Sequence, residues 1–138
     1  MIKWAVGILQ KDGYVLIGKL KRENPLIPRM SWTFPFKKVQ DGESPRKTIK
    51  KLFSEEMGLS IDVKRHLIKY NPSENPRVEK YFYELKCNYG NPISSKEFSK
   101  FIWVKPRQVL KYFETSISKE IIDYLDFMEK KGKGIIIN

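Results

Sequence analysis

Apolar residues along this chain fall in short runs separated by turn-forming residues. Residues 2–9 (Ile-Lys-Trp-Ala-Val-Gly-Ile-Leu) are mostly apolar and rich in strand formers. Lys11-Asp12-Gly13 carries a hairpin signal, and Tyr14-Val15-Leu16-Ile17 returns as a second strand. These runs are apolar at successive positions rather than at alternate ones. They therefore predict strands buried on both faces, beneath covering helices. Residues 23–31 contain Pro25 and Pro28 and read as a loop. Residues 32–36 form a short extended piece, because Pro35 disfavours helix at Phe34. Further strands are expected over 61–69, 78–87 and 101–104, with a proline-bearing loop over 71–76 and a turn-rich stretch over 88–95. In the 78–87 strand, Tyr81 and Tyr83 fall on one face and Phe82 on the other.

The pattern changes period at residue 45. Ile49, Leu52, Phe53 and Met57 recur at helical spacing and predict a helix over 45–57 with those four facing inward. Ser44 suits its N-cap, Pro45 its first position, and Gly58 the residue that stops it. A short helix is expected over 107–113. A final one, capped by Ser116 or Ser118, runs through about 129 with Ile121, Ile122, Leu125 and Met128 on one face. Strands before, between and after two main helices predict a mixed sheet with helices on both sides. The boundaries read as one domain over 1–130 and a basic tail over 131–138.

The length of 138 residues suits a single core, and 41% hydrophobic content supplies it. No window reaches the roughly 18 apolar residues of a membrane span, and the N-terminus has no secretory apolar segment. A single cysteine, Cys87, excludes an internal disulfide framework. Cytoplasmic location is therefore the expectation. The lone histidine, His66, has no second ligand nearby and predicts no zinc site. The net charge of +11 changes the picture more. It favours polyanionic ligands such as nucleotides or RNA, although a solvated lysine-rich surface gives the same number.

The candidate chemistry sits on the 45–57 helix. Glu43 precedes its cap, and Glu55 and Glu56 lie in its last turn. Three carboxylates brought together by one loop–helix unit suit a hard divalent cation, which in turn can clamp a phosphate chain. The plainer reading has the glutamate pair facing solvent and Glu43 favouring the positive helix end. Arg46, Lys47, Lys50 and Lys51 crowd the first half of the same helix, where cations are unfavourable to the helix dipole. An approaching polyanion is one reason to keep them there.

The segment from Lys37 to Leu59 resembles the 23-residue box of the Nudix hydrolases. Glu43, Phe53, Glu55, Glu56, Gly58 and Leu59 match it, as do Trp32-Thr33-Phe34-Pro35 ahead of it and Gly42-Glu43-Ser44-Pro45 within it. The opening hairpin, and Glu97 ahead of Trp103, resemble the family's flanking segments, so the likeness spans about residues 2–127. It implies a Nudix-like α/β/α sandwich with a mixed β-sheet between helices. Four positions depart from the box. Phe36 and Lys37 stand where the family has paired glycines, Lys51 stands for its arginine, and Leu52 stands for a glutamate. Lys51 keeps the charge but loses the bidentate fork. Leu52 removes a carboxylate expected of the metal site.

By resemblance, Glu55, Glu56 and Glu43 are the expected ligands of Mg2+ (or Mn2+), and Glu97 is the extra carboxylate and candidate base. Lys37, Lys51, Lys19, Arg22 and Tyr81 are the expected substrate contacts. The implied reaction is hydrolysis of a pyrophosphate linkage in a nucleotide derivative, weakened by Leu52. The alternative is a non-catalytic module of the same fold that binds nucleotide or RNA through its basic surface. The expected partners are a nucleotide-type small molecule, RNA and a second copy of the chain, with no membrane.

Overall fold

A computed structural model describes residues 1–134, with side chains through Lys131. Seven strands form one mixed sheet: β1 (Ile2–Lys11), β2 (Tyr14–Leu20), β3 (Trp32–Thr33), β4 (Phe36–Lys38), β5 (Ser60–Tyr70), β6 (Val78–Tyr89) and β7 (Phe98–Val104). The helices are α1 (Pro45–Lys51), α2 (Val109–Tyr112) and α3 (Lys119–Gly134).

The β1–β2 hairpin turns through Asp12 and Gly13, both with positive φ as a tight turn requires. The two strands pair only next to that turn, at Gln10↔Val15 and Lys11↔Tyr14, and then diverge. The segment around Pro35 fills the fork. β3 pairs with β2 at Gly18 and Lys19, β4 pairs with β1 at residues 4–6, and the Gly7 amide donates to the Pro35 carbonyl. One extended piece over 32–36 was expected. The chain instead makes two short strands, because proline has no N–H to offer a ladder and interrupts the pairing. β1 then runs parallel to β6 along nine paired positions, and β6 pairs antiparallel with β5. β7 lies on the outer edge of β2.

The sheet is buried on both faces, as the apolar runs predicted. One face packs Trp4, Val6, Ile8, Ile17, Phe82 and Phe98 against Val109, Ile121 and Leu125 of the α2–α3 side. The other packs Ala5, Leu9, Leu16, Tyr83 and Leu85 against Ile49, Leu52, Phe53 and Met57. Tyr81 and Tyr83 thus share one face and Phe82 the other, as strand alternation requires. α3 ends at Gly134, beyond the expected 129; the rest of the tail, 135–138, lies outside the described residues. Ser118 caps it by accepting from the Ile121 amide, whereas Ser116 is engaged with Glu74.

The expected helix over 45–57 is present but changes form midway. Ser44 accepts from the Lys47 amide at its start, and Gly58 ends it with φ of 72°. From Leu52 to Glu56 the turn widens into a π-helix, with the Met57 amide reaching back five residues to the Leu52 carbonyl. Such bulges occur often at functional sites. The widened turn seats Leu52, Phe53 and Met57 in the core together.

Gly7 sets how close this helix comes. A Cβ on Gly7 would lie 2.5 Å from the Phe53 ring and 2.7 Å from Leu85. Gly7→Ala is therefore expected to overpack the seam and lower stability by about 1–3 kcal/mol, read as a lower urea midpoint. α3 is tied to the sheet by a second device. The Tyr124 hydroxyl donates to Glu84 at 2.5 Å, and Gln10 and Arg65 also donate to that carboxylate. Burial raises the Glu84 pKa, but these three donors outweigh it and leave it below the ordinary value. A carboxylate lowered in this way stabilises the fold above its unfolded pKa and loses that contribution as pH falls through its folded value. Tyr124→Phe should cost about 1 kcal/mol at neutral pH and flatten the acid limb of the stability profile.

Candidate active site

The loop before α1 and the π-turn after it bring the predicted carboxylates near one another without uniting them. Glu43 folds back over the helix start. It accepts from the Thr48 hydroxyl at 2.7 Å and from the Lys51 ammonium at 2.8 Å. These two donors hold its carboxyl below the ordinary value, Lys51 more than Thr48, and the same pairing raises Lys51. Glu43 and Lys51 therefore bind each other, which braces the loop against the helix.

Glu55 and Glu56 are adjacent but enter different depressions. Glu56 lines a cleft of about 280 Å³ with Lys37, Leu52 and Glu97, walled by Trp4 and Phe36. Glu55 lines a shallower groove of about 450 Å³ with Ser44, Arg46, Lys47, Lys50 and Lys51. Within the first cleft the Lys37 ammonium forms an ion pair with the Glu56 carboxylate. β4 makes this pairing: its register against Ala5 puts Lys37 beside the last turn of the helix. Glu97 is exposed at the mouth, and its backbone carbonyl accepts from the Lys21 amide. Leu52 contributes no polar atom; it is 2% exposed and belongs to the core beneath the helix.

Lys37, Glu56 and Glu97 thus share a cleft, and Lys51 and Glu55 share the adjoining groove. Lys19, Arg22 and Tyr81 line neither. Lys19 and Arg22 are exposed around the end of β2. Tyr81 is part-buried on the α1 face, its hydroxyl donating to Glu79 and its ring under the Lys3 ammonium. The cleft also recruits Lys38, within the box, and Asn24, Gln40 and Lys96, which sequence reasoning did not single out. They come from three loops and one strand end, and no local spacing connects them.

Among the described residues, no group of three or more His, Cys, Asp or Glu side chains is placed to hold a metal ion. Two carboxylates are already neutralised by lysines, and the position after Lys51 offers carbon only. A divalent cation caged by protein oxygens alone does not fit this donor set. Mg2+, however, is commonly bound through one or two carboxylates together with substrate phosphates. Glu56 and Glu97 are the carboxylates that line this cleft, and Glu55 lies in the adjoining groove.

No described helix is long and apolar enough to cross a membrane. No curated protein matches the chain. Its fold is similar to a NUDIX hydrolase from Nitrosomonas europaea, with a TM-score of 0.69 at 14% identity over 96% of this chain and 73% of that one. It is also similar to a MutT protein from Methanosarcina mazei Go1, with a TM-score of 0.66 at 16% identity over 96% and 95%. A UDP-X diphosphatase gives a TM-score of 0.63 at 16% identity over 97% of this chain, which spans 64% of that protein's length. At these identities the likeness establishes the α/β/α sandwich. The NUDIX domain model matches residues 1–125, most of the sequence and the whole of both clefts, so the chain belongs to the NUDIX domain family.

Proposed function

We propose that this chain is a phosphohydrolase of the NUDIX type, cleaving a pyrophosphate linkage in a nucleotide derivative bound at the Lys37–Glu56–Glu97 cleft. The observation that carries the reading is the Glu56 carboxylate, held at the end of a π-turn in an open cleft with a lysine beside it and a second carboxylate at the mouth. The cleft of about 280 Å³ has room for a diphosphate and part of what it carries.

Glu56 is the proposed holder of a divalent ion shared with the substrate's phosphates; Glu55 lines the adjoining groove rather than this cleft. When bound, that ion supplies the charge that polarises a phosphate oxygen and acidifies a water. The chain's own groups supply the rest. Lys37 neutralises Glu56 while the cleft is empty, and its ammonium turns to a phosphate oxygen when substrate arrives. Glu97, exposed at the mouth, accepts a proton from the attacking water. Glu43 and Lys51 hold the helix start in place. Leu52 anchors the turn in the core and leaves the site one carboxylate poorer, which makes slow turnover the expectation.

A second reading has its own observation. Arg46, Lys47, Lys50 and Lys51 line the groove beside Glu55, an electrostatic footprint suited to a single-stranded polyanion. There the module binds nucleotide or RNA without chemistry.

The test is product release from ADP-ribose, a UDP-linked compound, nucleoside triphosphates and 5′-triphosphorylated RNA, with Mg2+ or Mn2+ titrated. Metal-dependent release from one class is expected, reduced about 100-fold or more in Glu56→Gln. Lys37→Ala is expected to lower the metal concentration needed for half-maximal rate and to raise KM, because one cation leaves the carboxylate and the phosphate loses a partner. No release from any compound, with metal-independent RNA binding that weakens steeply with salt, would replace the first reading by the second.

A further inference from the structure

Trp32, Lys19 and Lys100 form a row across three neighbouring strands. Lys19 of β2 lies directly opposite Trp32 of β3 on one side and Lys100 of β7 on the other. Residues paired in this way project from the same face of a sheet. Both lysines are exposed and Trp32 is half-buried. The Lys100 ammonium stands 5.6 Å from the centre of the Trp32 ring, and the Tyr112 ring meets the indole edge-on with centroids 5.2 Å apart. The surface is therefore an indole, braced from one side, with two cations beside it.

Like charges directly opposite each other on a strand pair are destabilising. No carboxylate relieves this pair. Among the described residues neither lysine forms an ion pair, and neither do Lys21 and Arg22, which follow β2 and are also exposed. Trp32, Lys19 and Lys100 line neither the Glu56 cleft nor the Glu55 groove. They lie close to the mouth of the cleft all the same. The Lys21 amide donates to the Glu97 carbonyl, two residues beyond Lys19 and three before Lys100.

The chemistry of the face selects its ligand. A half-buried ring flanked by unpaired cations suits a chain that alternates flat rings with negative charge. Single-stranded nucleic acid is such a chain: its bases stack on aromatic side chains and its phosphates pair with lysines. A duplex keeps its bases stacked within itself and presents phosphates alone. An acidic peptide brings charge without the rings.

We infer that the Trp32–Lys19–Lys100 face binds single-stranded nucleic acid, with a base stacked on Trp32, the flanking phosphates on the two lysines, and Lys21 and Arg22 extending the charged path. A phosphate between Lys19 and Lys100 relieves their repulsion and draws the Lys100 ammonium off the indole, which uncovers the ring for the base. The site is distinct from the groove beside Glu55 and does not depend on hydrolysis in the Glu56 cleft.

The test is fluorescence anisotropy of a short labelled oligo(dT) titrated with the full chain in EDTA, which removes metal-dependent turnover. Saturable binding is expected, about 5-fold or more tighter than that of an abasic strand with the same number of phosphates. Trp32→Leu is expected to erase that difference. Lys19→Gln combined with Lys100→Gln is expected to weaken binding and to lower the slope of log affinity against log salt by roughly 0.7 for each cation removed. No saturable binding, or equal affinity for the abasic strand, would overturn the site without recourse to a variant. So would equal affinity for a duplex or for a polyglutamate peptide. Binding that falls in Lys47→Gln with Lys50→Gln, but holds in the Lys19 and Lys100 double variant, would overturn it in favour of the groove beside Glu55.

Discussion

The contact between the Phe53 ring and the bare backbone of Gly7 governs the arrangement of this molecule. It lets the helix after Ser44 settle directly on β1, closer than any side chain at position 7 would allow. Once the helix is there, Ile49, Leu52, Phe53 and Met57 must all find core positions, and the turn over Leu52–Glu56 widens to place them. The outward residues of that turn, Glu55 and Glu56, are then fixed by what their neighbours need underneath. The fork between β1 and β2 completes the frame, because filling it with Pro35 brings Lys37 alongside Glu56. Packing on the inner side of the sheet thus decides the electrostatics of the cleft.

This gives the charge pattern of the box a physical meaning. A carboxylate is absent at Leu52, and a cation is present at Lys37, in the same cleft. The two departures act in one direction: each lowers the negative charge that a divalent ion would meet. Two of the remaining carboxylates are matched, Glu56 by Lys37 and Glu43 by Lys51. The proposed function asks this cleft to exchange one cation for another when a phosphate enters and draws Lys37 away. Any chemistry here accordingly depends on substrate to assemble the site, which trades rate for dependence on the right ligand.

Much of the fold was legible in the sequence, for reasons that can be named. The hairpin at Asp12-Gly13, the cap at Ser44 and the stop at Gly58 are local signals whose backbone geometry leaves few alternatives. The four inward residues of the helix follow from period alone. The split of 32–36 into two strands and the switch to a π-turn did not follow, because both are set by tertiary fit: the first by a fork between distant strands, the second by Gly7. The site was legible only in part. Glu43, Glu55 and Glu56 are linked by spacing, but the division of the last two between separate depressions depends on a turn that spacing cannot show. Lys37 looked like a phosphate contact, and its pairing with Glu56 needed the β4 register.

Joint binding of a divalent ion by the Glu56 cleft and a substrate's phosphates is the central proposal for this molecule. The most direct measurement is Mn2+ binding, by calorimetry, with and without a non-hydrolysable nucleoside diphosphate derivative. Weak binding to the protein alone, strengthened by the analogue and lost in Glu56→Gln, is the predicted result. Tight binding without the analogue, or no strengthening with it, would contradict the account.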